Sequence, residues 1–89
     1  MRAVITVKGD DAVGIIAKVS GLLAKSGVNI IDISQTILEK QFLMVMLVET
    51  NEKSVDFASL RDSLVLLGKE INQIINIRHE TVYNTMHRI

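Results

Sequence analysis

The start of the chain alternates between hydrophobic and polar side chains. Over residues 2–8 the odd positions are apolar and the even positions are polar, with Val4 as the exception. A period of two predicts a half-buried β-strand. Residues 8–11, with the sequence Lys-Gly-Asp-Asp, have the composition of a turn, so we expect the strand to end there.

The hydrophobic period changes to that of a helix after residue 12. One face collects the apolar side chains, which are Ile15, Ile16, Val19, Leu22 and Leu23. We expect Asp10 or Asp11 to cap the start of this helix, because a carboxylate accepts hydrogen bonds from the first backbone amides. Ser26-Gly27 is the expected end, since glycine adopts the left-handed conformation of a helix C-terminus.

Residues 28–37 are rich in β-branched side chains and predict a second strand. Its phase is irregular, because Val28 and Ile30 share one parity and the later isoleucines share the other. A β-bulge explains this shift, and so does burial of both faces. Gln35 and Thr36 interrupt the apolar positions, and we expect them either in an interface pocket or at a solvated strand edge.

The second half of the chain predicts a strand, a helix and a further strand. Consecutive apolar residues at 42–48 favour a third strand, and Ser54 is the expected N-cap of a second helix, with Asp56 in its first turn. The apolar face of that helix consists of Phe57, Leu60, Leu64, Leu67 and Ile71. Alternation over residues 75–78 predicts a fourth strand, and apolar spacing over 81–89 predicts a short final helix.

The predicted element order is β-α-β-β-α-β, which defines an α+β fold class. With right-handed crossovers it gives a ferredoxin-like sandwich, a four-stranded antiparallel sheet with two helices on one face. A chain of 89 residues has room for one domain, and we expect residues 1–89 to form it.

The third predicted strand conflicts with a simple two-layer arrangement. About half of the side chains of residues 42–48 must point to the helix-free face, where polar side chains are expected. Burying such a side chain contributes roughly 1.5–3 kcal/mol, whereas leaving several exposed creates the kind of apolar patch found at interfaces. We therefore expect a two-fold homodimer. The alternative is that the final helix folds back over this face.

Composition argues against several functional classes. Ten Lys and Arg residues balance ten Asp and Glu residues, so we expect no direct nucleic-acid partner and no membrane partner. The chain has no cysteine, no recognised His spacing for a metal and no nucleophile or phosphate-binding motif, so we expect no metal, no cofactor and no enzymatic activity. Without a visible signal peptide, a cytoplasmic protein is expected.

The loop before the first helix carries the main candidate chemistry. The first amides of a helix have no intrahelical partner, and with the helix dipole they favour a bound carboxylate or phosphate. Gly9 and Gly14 permit tight turning and close approach of a ligand to the backbone. The alternative is structural, with Asp10 and Asp11 capping the helix and Gly14 making room for packing.

Residues 11–19 (Asp-Ala-Val-Gly-Ile-Ile-Ala-Lys-Val), 22–24 (Leu-Leu-Ala) and 26–30 (Ser-Gly-Val-Asn-Ile) resemble the signature of the ACT domain family. In that family an Asp-Arg-Pro-Gly loop opens the first helix, and a Gly-[Ile/Val]-Asn-Ile turn begins the second strand. The resemblance extends over nearly the whole chain. Residues 29–37, the apolar third strand and residues 86–89 are similar to a narrower group, the stand-alone ACT proteins of unassigned role related to the glycine cleavage system transcriptional repressor.

The resemblance implies a non-catalytic regulatory module that binds an amino acid or another small effector at a homodimer interface. In the family, ligand groups come from the loop between the first strand and helix and from the start of the second strand, often across the dimer. Matched residue by residue, this implies Asp11, Gly14, the amides of Val13 and Ile15, and the side-chain amide of Asn29. Asn29 is equally consistent with a turn residue at a strand start.

The loop departs from the family pattern at Ala12 and Val13, where the family usually carries Arg and Pro. It therefore lacks a cation and a residue of fixed φ. This departure keeps a second function open, a ligand-free dimeric interaction module that docks on a regulated protein partner. RNA recognition fits poorly, because it needs several aromatic side chains on the middle strands and only Phe42 is expected there.

Overall fold

The computed structural model describes residues 1–51 and 55–80. Its elements follow the predicted order: β1 (Arg2–Asp10), α1 (Ile15–Lys25), β2 (Asn29–Leu38), β3 (Gln41–Glu49), α2 (Phe57–Ile71) and β4 (Gln73–His79). The final helix predicted for 81–89 and the cap predicted at Ser54 lie outside the described residues. β1 continues to Asp10, so the predicted turn at residues 8–11 begins later than expected.

The strands form one antiparallel sheet in the order β2-β3-β1-β4, which confirms the ferredoxin-like α+β fold. Both helices pack on the face that carries Ile5, Met44 and Met46. The largest fully buried side chains of this layer are Ile5, Val7, Val19, Leu23, Met44, Met46, Val48 and Leu64. Among the strands of the described residues, β2 and β4 lie at the two edges, and β1 and β3 are paired on both sides.

A β-bulge in β2 explains the irregular phase of its isoleucines. Ile30 pairs with Val48 and Asp32 pairs with Leu47, so Ile31 is the extra residue. After the bulge, Ile33 lies opposite Met46 and Ile37 lies opposite Phe42. Because paired residues share a face of a sheet, Ile30, Ile33 and Ile37 all lie on the helix side. The bulge is confirmed, and burial of both faces is not needed.

The N-caps of both helices differ from the sequence-based expectation, whereas α1 ends as predicted, with Ser26 as its C-cap and Gly27 at positive φ. Gly14 is the N-cap of α1, in the left-handed region at φ 90°, and neither Asp10 nor Asp11 caps this helix, so that prediction is wrong. Asp10 still belongs to β1, where its Oδ1 accepts a hydrogen bond from Gln41 Nε2 at 2.7 Å. Asp56 is the N-cap of α2 rather than a residue of its first turn, and it accepts from Ala58 N at 3.3 Å.

The helix-free face of the sheet is partly apolar. Leu43, Val45 and Leu47 of β3 lie on it; Leu43 is 46% exposed and the other two are half-buried. Val4 lies on the same face opposite Leu47 and is buried, which accounts for its exception to the alternation in β1. Of the helices in the described ranges, none has the length and apolarity needed to span a membrane.

Candidate functional site

The loop of residues 11–14 connects β1 to α1 at one end of the sheet. Its first residue remains attached to the sheet, because the Asp11 amide donates a hydrogen bond to the Lys40 carbonyl at 2.8 Å. Lys40 and Glu39 form the turn between β2 and β3, both with positive φ. The loop therefore lies beside the β2–β3 hairpin.

Gly14 is required by the backbone conformation rather than by space. Its φ of +90° is one that side chains with a Cβ rarely adopt, yet a Cβ built there meets no heavy atom within 4 Å among the described contacts. The interpretation that Gly14 makes room for packing is therefore wrong. The Gly14 carbonyl accepts from the Lys18 amide at 3.0 Å, so the helix starts immediately after the loop. The amides of Ile15 and its neighbours are thus the first of α1, where intrahelical acceptors are lacking.

An open cavity of about 480 Å³ lies between this loop and β2. Its walls include Asp11, Gly14, Ile15 and Ala17 on one side, and Gln35 and Ile37 of β2 on the other. This volume falls within the range typical of small-molecule sites. The cavity combines a carboxylate, a side-chain amide, the first helix amides and an apolar wall.

Gln35 faces this cavity because of the strand register. It lies opposite Met44, on the helix side, whereas Thr36 lies opposite Leu43 on the other face. The hydrophobic pattern of the sequence was consistent with two positions for both residues, an interface pocket or a solvated strand edge. The bulge at Ile31 determines which face of the sheet each side chain takes, and its signal in the sequence was the phase shift of the isoleucines.

The predicted ligand residues do not all lie together within one chain. Asp11, Gly14 and Ile15 line the cavity, and the Val13 side chain at the loop apex is fully exposed. Asn29 begins β2 and pairs with Glu49, at the far end of a strand of ten residues. With about 3.4 Å per residue, Asn29 lies roughly 30 Å from the loop along the strand.

The described residues show no alternative centre built on metal ligands. Within residues 1–51 and 55–80, no group of three or more His, Cys, Asp or Glu side chains could hold a metal ion. His79 stacks on Phe57 with ring centroids 4.4 Å apart, and His87 lies outside the described residues.

Comparison with known proteins identifies the family. The sequence profile of the ACT domain matches residues 2–78. The chain belongs to the ACT domain family. Members of this family are regulatory ligand-binding modules, and many of them sense amino acids. The resemblance inferred from residues 11–30 is therefore confirmed.

Relatives of similar length place this ACT domain in a narrower group. A UPF0237 protein of Methanococcus maripaludis is 49% identical over 99% of this chain and 98% of its own length. The structure of an ACT domain protein from Streptococcus pneumoniae is 44% identical, with a TM-score of 0.83 over 93% of each chain. A structure named as a glycine cleavage system transcriptional repressor is 30% identical, with a TM-score of 0.77, and matches 86% of this chain but 44% of its own. The predicted kinship with stand-alone ACT proteins is confirmed.

Proposed function

We propose that this ACT domain is a non-catalytic sensor that binds an amino acid between two copies of itself. The observation that carries this proposal is the cavity between the β1–α1 loop and β2. It opens beside an edge strand that pairs with β3 on one side and with no other strand of the described residues on the other. Regulation would then consist of ligand-dependent changes in the stability or shape of the dimer.

The chemistry of the cavity suits a free α-amino acid. The first amides of α1 favour the α-carboxylate, because their N–H groups and the helix dipole point toward it. The Asp11 carboxylate is a charge-assisted acceptor for the α-ammonium group. The Gln35 amide can donate and accept, and Ile37 with Ala17 offers an apolar wall to the side chain of the ligand.

The β2 edge supports dimer formation. Every residue of β2 except Ile30 is exposed, and an unpaired strand edge is a template for pairing with another strand. Ile33 is 39% exposed and Ile37 is 56% exposed, on the helix side of this edge, and Ile16 of α1 is 38% exposed. A second copy that pairs along β2 would cover these isoleucines. This edge suits an interface better than the helix-free face, where Val45 and Leu47 are already half-buried.

Two-fold pairing of β2 would unite the predicted ligand residues. In an antiparallel β2–β2 pair, the first residue of one strand lies near the last residue of the other. Asn29 of the partner subunit would therefore lie near Leu38, close to the turn that holds Asp11. The residues that are separated within one chain would then line one cavity, with one site at each end of the interface.

A thermal-shift screen against the common amino acids, together with sedimentation velocity, tests this function. A ligand at a hundred times its dissociation constant adds about 2.7 kcal/mol of stability, which in a domain of this size is roughly 10 °C or more. We expect at least one amino acid to give such a shift. Asn29→Ala and Gly14→Val should abolish it, whereas Asn76→Ala, at an exposed asparagine on the other edge strand, should retain it.

A second candidate is a ligand-free dimeric module that docks on a regulated protein. The observation in its favour is the loop apex, where Ala12 and Val13 are both exposed and replace the Arg and Pro usual in the family. A folded dimer that shows no shift with any amino acid would favour this second candidate. A monomer at micromolar concentration would contradict both.

A further inference from the structure

The side chain of Gln73 reaches the peptide group at which the β1–α1 loop begins. Gln73 is the first residue of β4 and is only 6% exposed. Its Nε2 donates a hydrogen bond to the Asp10 carbonyl at 2.6 Å. Gln73 pairs with Gly9 through the backbone, so its side chain extends the β1–β4 ladder beyond the last paired residue.

The same peptide group is held from its other side. The Asp11 amide, which belongs to the peptide group of the Asp10 carbonyl, donates to the Lys40 carbonyl at 2.8 Å. In a trans peptide the C=O and N–H groups point in opposite directions. Gln73 on the β4 side and Lys40 on the β3 side therefore fix the orientation of one peptide plane. The loop leaves the sheet directly after this plane.

Gly9 and Gly68 leave the space that Gln73 occupies. A Cβ on Gly9 would lie 2.7 Å from Gln73 Oε1 and 2.7 Å from the Asn72 carbonyl oxygen. A Cβ on Gly68 of α2 would lie 2.5 Å from the Gln73 carbonyl oxygen. Such separations are too short for a carbon and an oxygen that are not bonded. Side chains at either position would therefore displace Gln73.

Burial of this glutamine is not explained by stability alone. Gln73 Oε1 is buried and has no hydrogen-bond partner among the described residues. An unpaired buried acceptor destabilises the folded state, whereas methionine of similar size would leave nothing unpaired on that side. What methionine cannot supply is the N–H group that holds the Asp10 carbonyl.

We infer that Gln73 is a positioning residue for the β1–α1 loop. By fixing the peptide plane between Asp10 and Asp11, it sets the direction in which the loop and its ligand groups leave the sheet. It also links this loop to the end of α2, because Gln73 directly follows Asn72, the C-cap of that helix. The role of the loop in ligand binding rests on the proposed function, but the positioning itself does not.

Amide hydrogen exchange measured by NMR on the full chain tests this inference without any ligand. In Gln73→Met, we expect the protection of the Asp11 amide to fall roughly threefold to tenfold more than that of the Val7 amide, in the middle of β1. Ile75→Val is the matched control, because Ile75 is a buried helix-side residue of the same strand. It should lower the protection of both amides in the same proportion.

A second variant approaches the contact from the other side. Gly9→Ala places its Cβ against Gln73 Oε1, so it should also lower Asp11 protection selectively. Equal loss at Asp11 and Val7 in Gln73→Met and Gly9→Ala would overturn the inference. Selective loss at Asp11 would support it even if no amino acid binds the wild-type protein, an outcome that would refute only the sensing function.

Discussion

Gln35 lies directly opposite Met44 in the β2–β3 ladder, and this pairing directs its amide into the cavity beside the β1–α1 loop. Thr36, the next residue, lies opposite Leu43 and points to the other face of the sheet. The two residues are adjacent in the chain, but their side chains lie on opposite faces of the sheet.

This geometry predicts that Gln35 contributes to ligand affinity and Thr36 does not. Gln35→Leu removes the amide from the cavity and should weaken binding of an amino acid identified by thermal shift by roughly threefold to tenfold. Thr36→Val, on the opposite face, should leave the dissociation constant unchanged. Isothermal titration calorimetry measures both, and equal losses in the two variants would contradict this assignment of faces.

Glycine at position 14 should be needed for its backbone conformation. Gly14→Ala forces an alanine into the left-handed region and should destabilise the fold by about 1–2 kcal/mol. Gly21 is the matched control, because it is exposed in the middle of α1 and a Cβ there also meets open space. Gly21→Ala should stabilise the fold by about 0.5–1 kcal/mol. Urea unfolding of the two variants should therefore move in opposite directions, and a shared direction would rule out the conformational explanation.

The β2 edge should control association. Ile33→Lys places a charge in the proposed interface and should shift the protein toward monomer by at least tenfold in dissociation constant, since an unpaired buried charge is costly. Leu66→Lys, at a 60% exposed position of α2, should leave association unchanged. Sedimentation equilibrium reports both constants. If Leu66→Lys dissociates the dimer and Ile33→Lys does not, the interface lies on the helix layer and not along β2.

The start of α2 should respond to acid. Hydrogen bonds from the Ser59 hydroxyl and the Ala58 amide lower the pKa of the Asp56 carboxyl in the folded state. A lowered folded-state pKa stabilises the fold at pH values above the unfolded-state pKa, and this contribution is lost as pH falls through the folded-state pKa. Asp56→Asn keeps a good N-cap but should flatten the pH dependence of unfolding below about pH 4.

Asp62→Asn is the control for this effect. Asp62 lies on the same helix, and its carboxylate contacts Arg61 at 3.5 Å on the exposed surface, so Asp62→Asn removes one carboxylate from this helix and leaves the N-cap intact. Chemical unfolding measured between acidic and neutral pH compares the two variants with the wild type. If the free energy of unfolding changes equally with acidic pH in Asp56→Asn and in the wild type, protonation of Asp56 is not linked to folding.

The order of elements was predictable because each one has a clear hydrophobic period. The strand register was not, although the phase shift around Ile31 pointed to a bulge. The N-cap of α1 was mispredicted because Asp10 and Asp11 precede the helix. Aspartate is a preferred N-cap residue, so these two residues indicated a cap and not the continuation of β1. Asp10 stays in β1 because Gln41 and Gln73 supply hydrogen bonds from neighbouring strands. Such contacts between distant parts of the chain leave no local pattern.

The candidate site was predictable only in its local part. Asp11, Gly14 and Ile15 follow one another closely in sequence and meet at the cavity. Gln73 follows Asp10 by 63 positions, and only the antiparallel pairing of β1 with β4 brings them together. The distance of Asn29 from the loop follows from the length of β2, which no motif describes.

The bulge at Ile31 also determines where this strand tolerates a change of length. Ile30 and Asp32 face opposite sides while pairing with adjacent residues of β3, so deletion of Ile31 would restore regular pairing without turning over any side chain. Deletion of one residue between Asp32 and Leu38 would turn the side chains of a segment of β2 from the helix side to the helix-free face and the reverse. Loss of Ile31 would thus keep Gln35 opposite Met44 and directed toward the cavity.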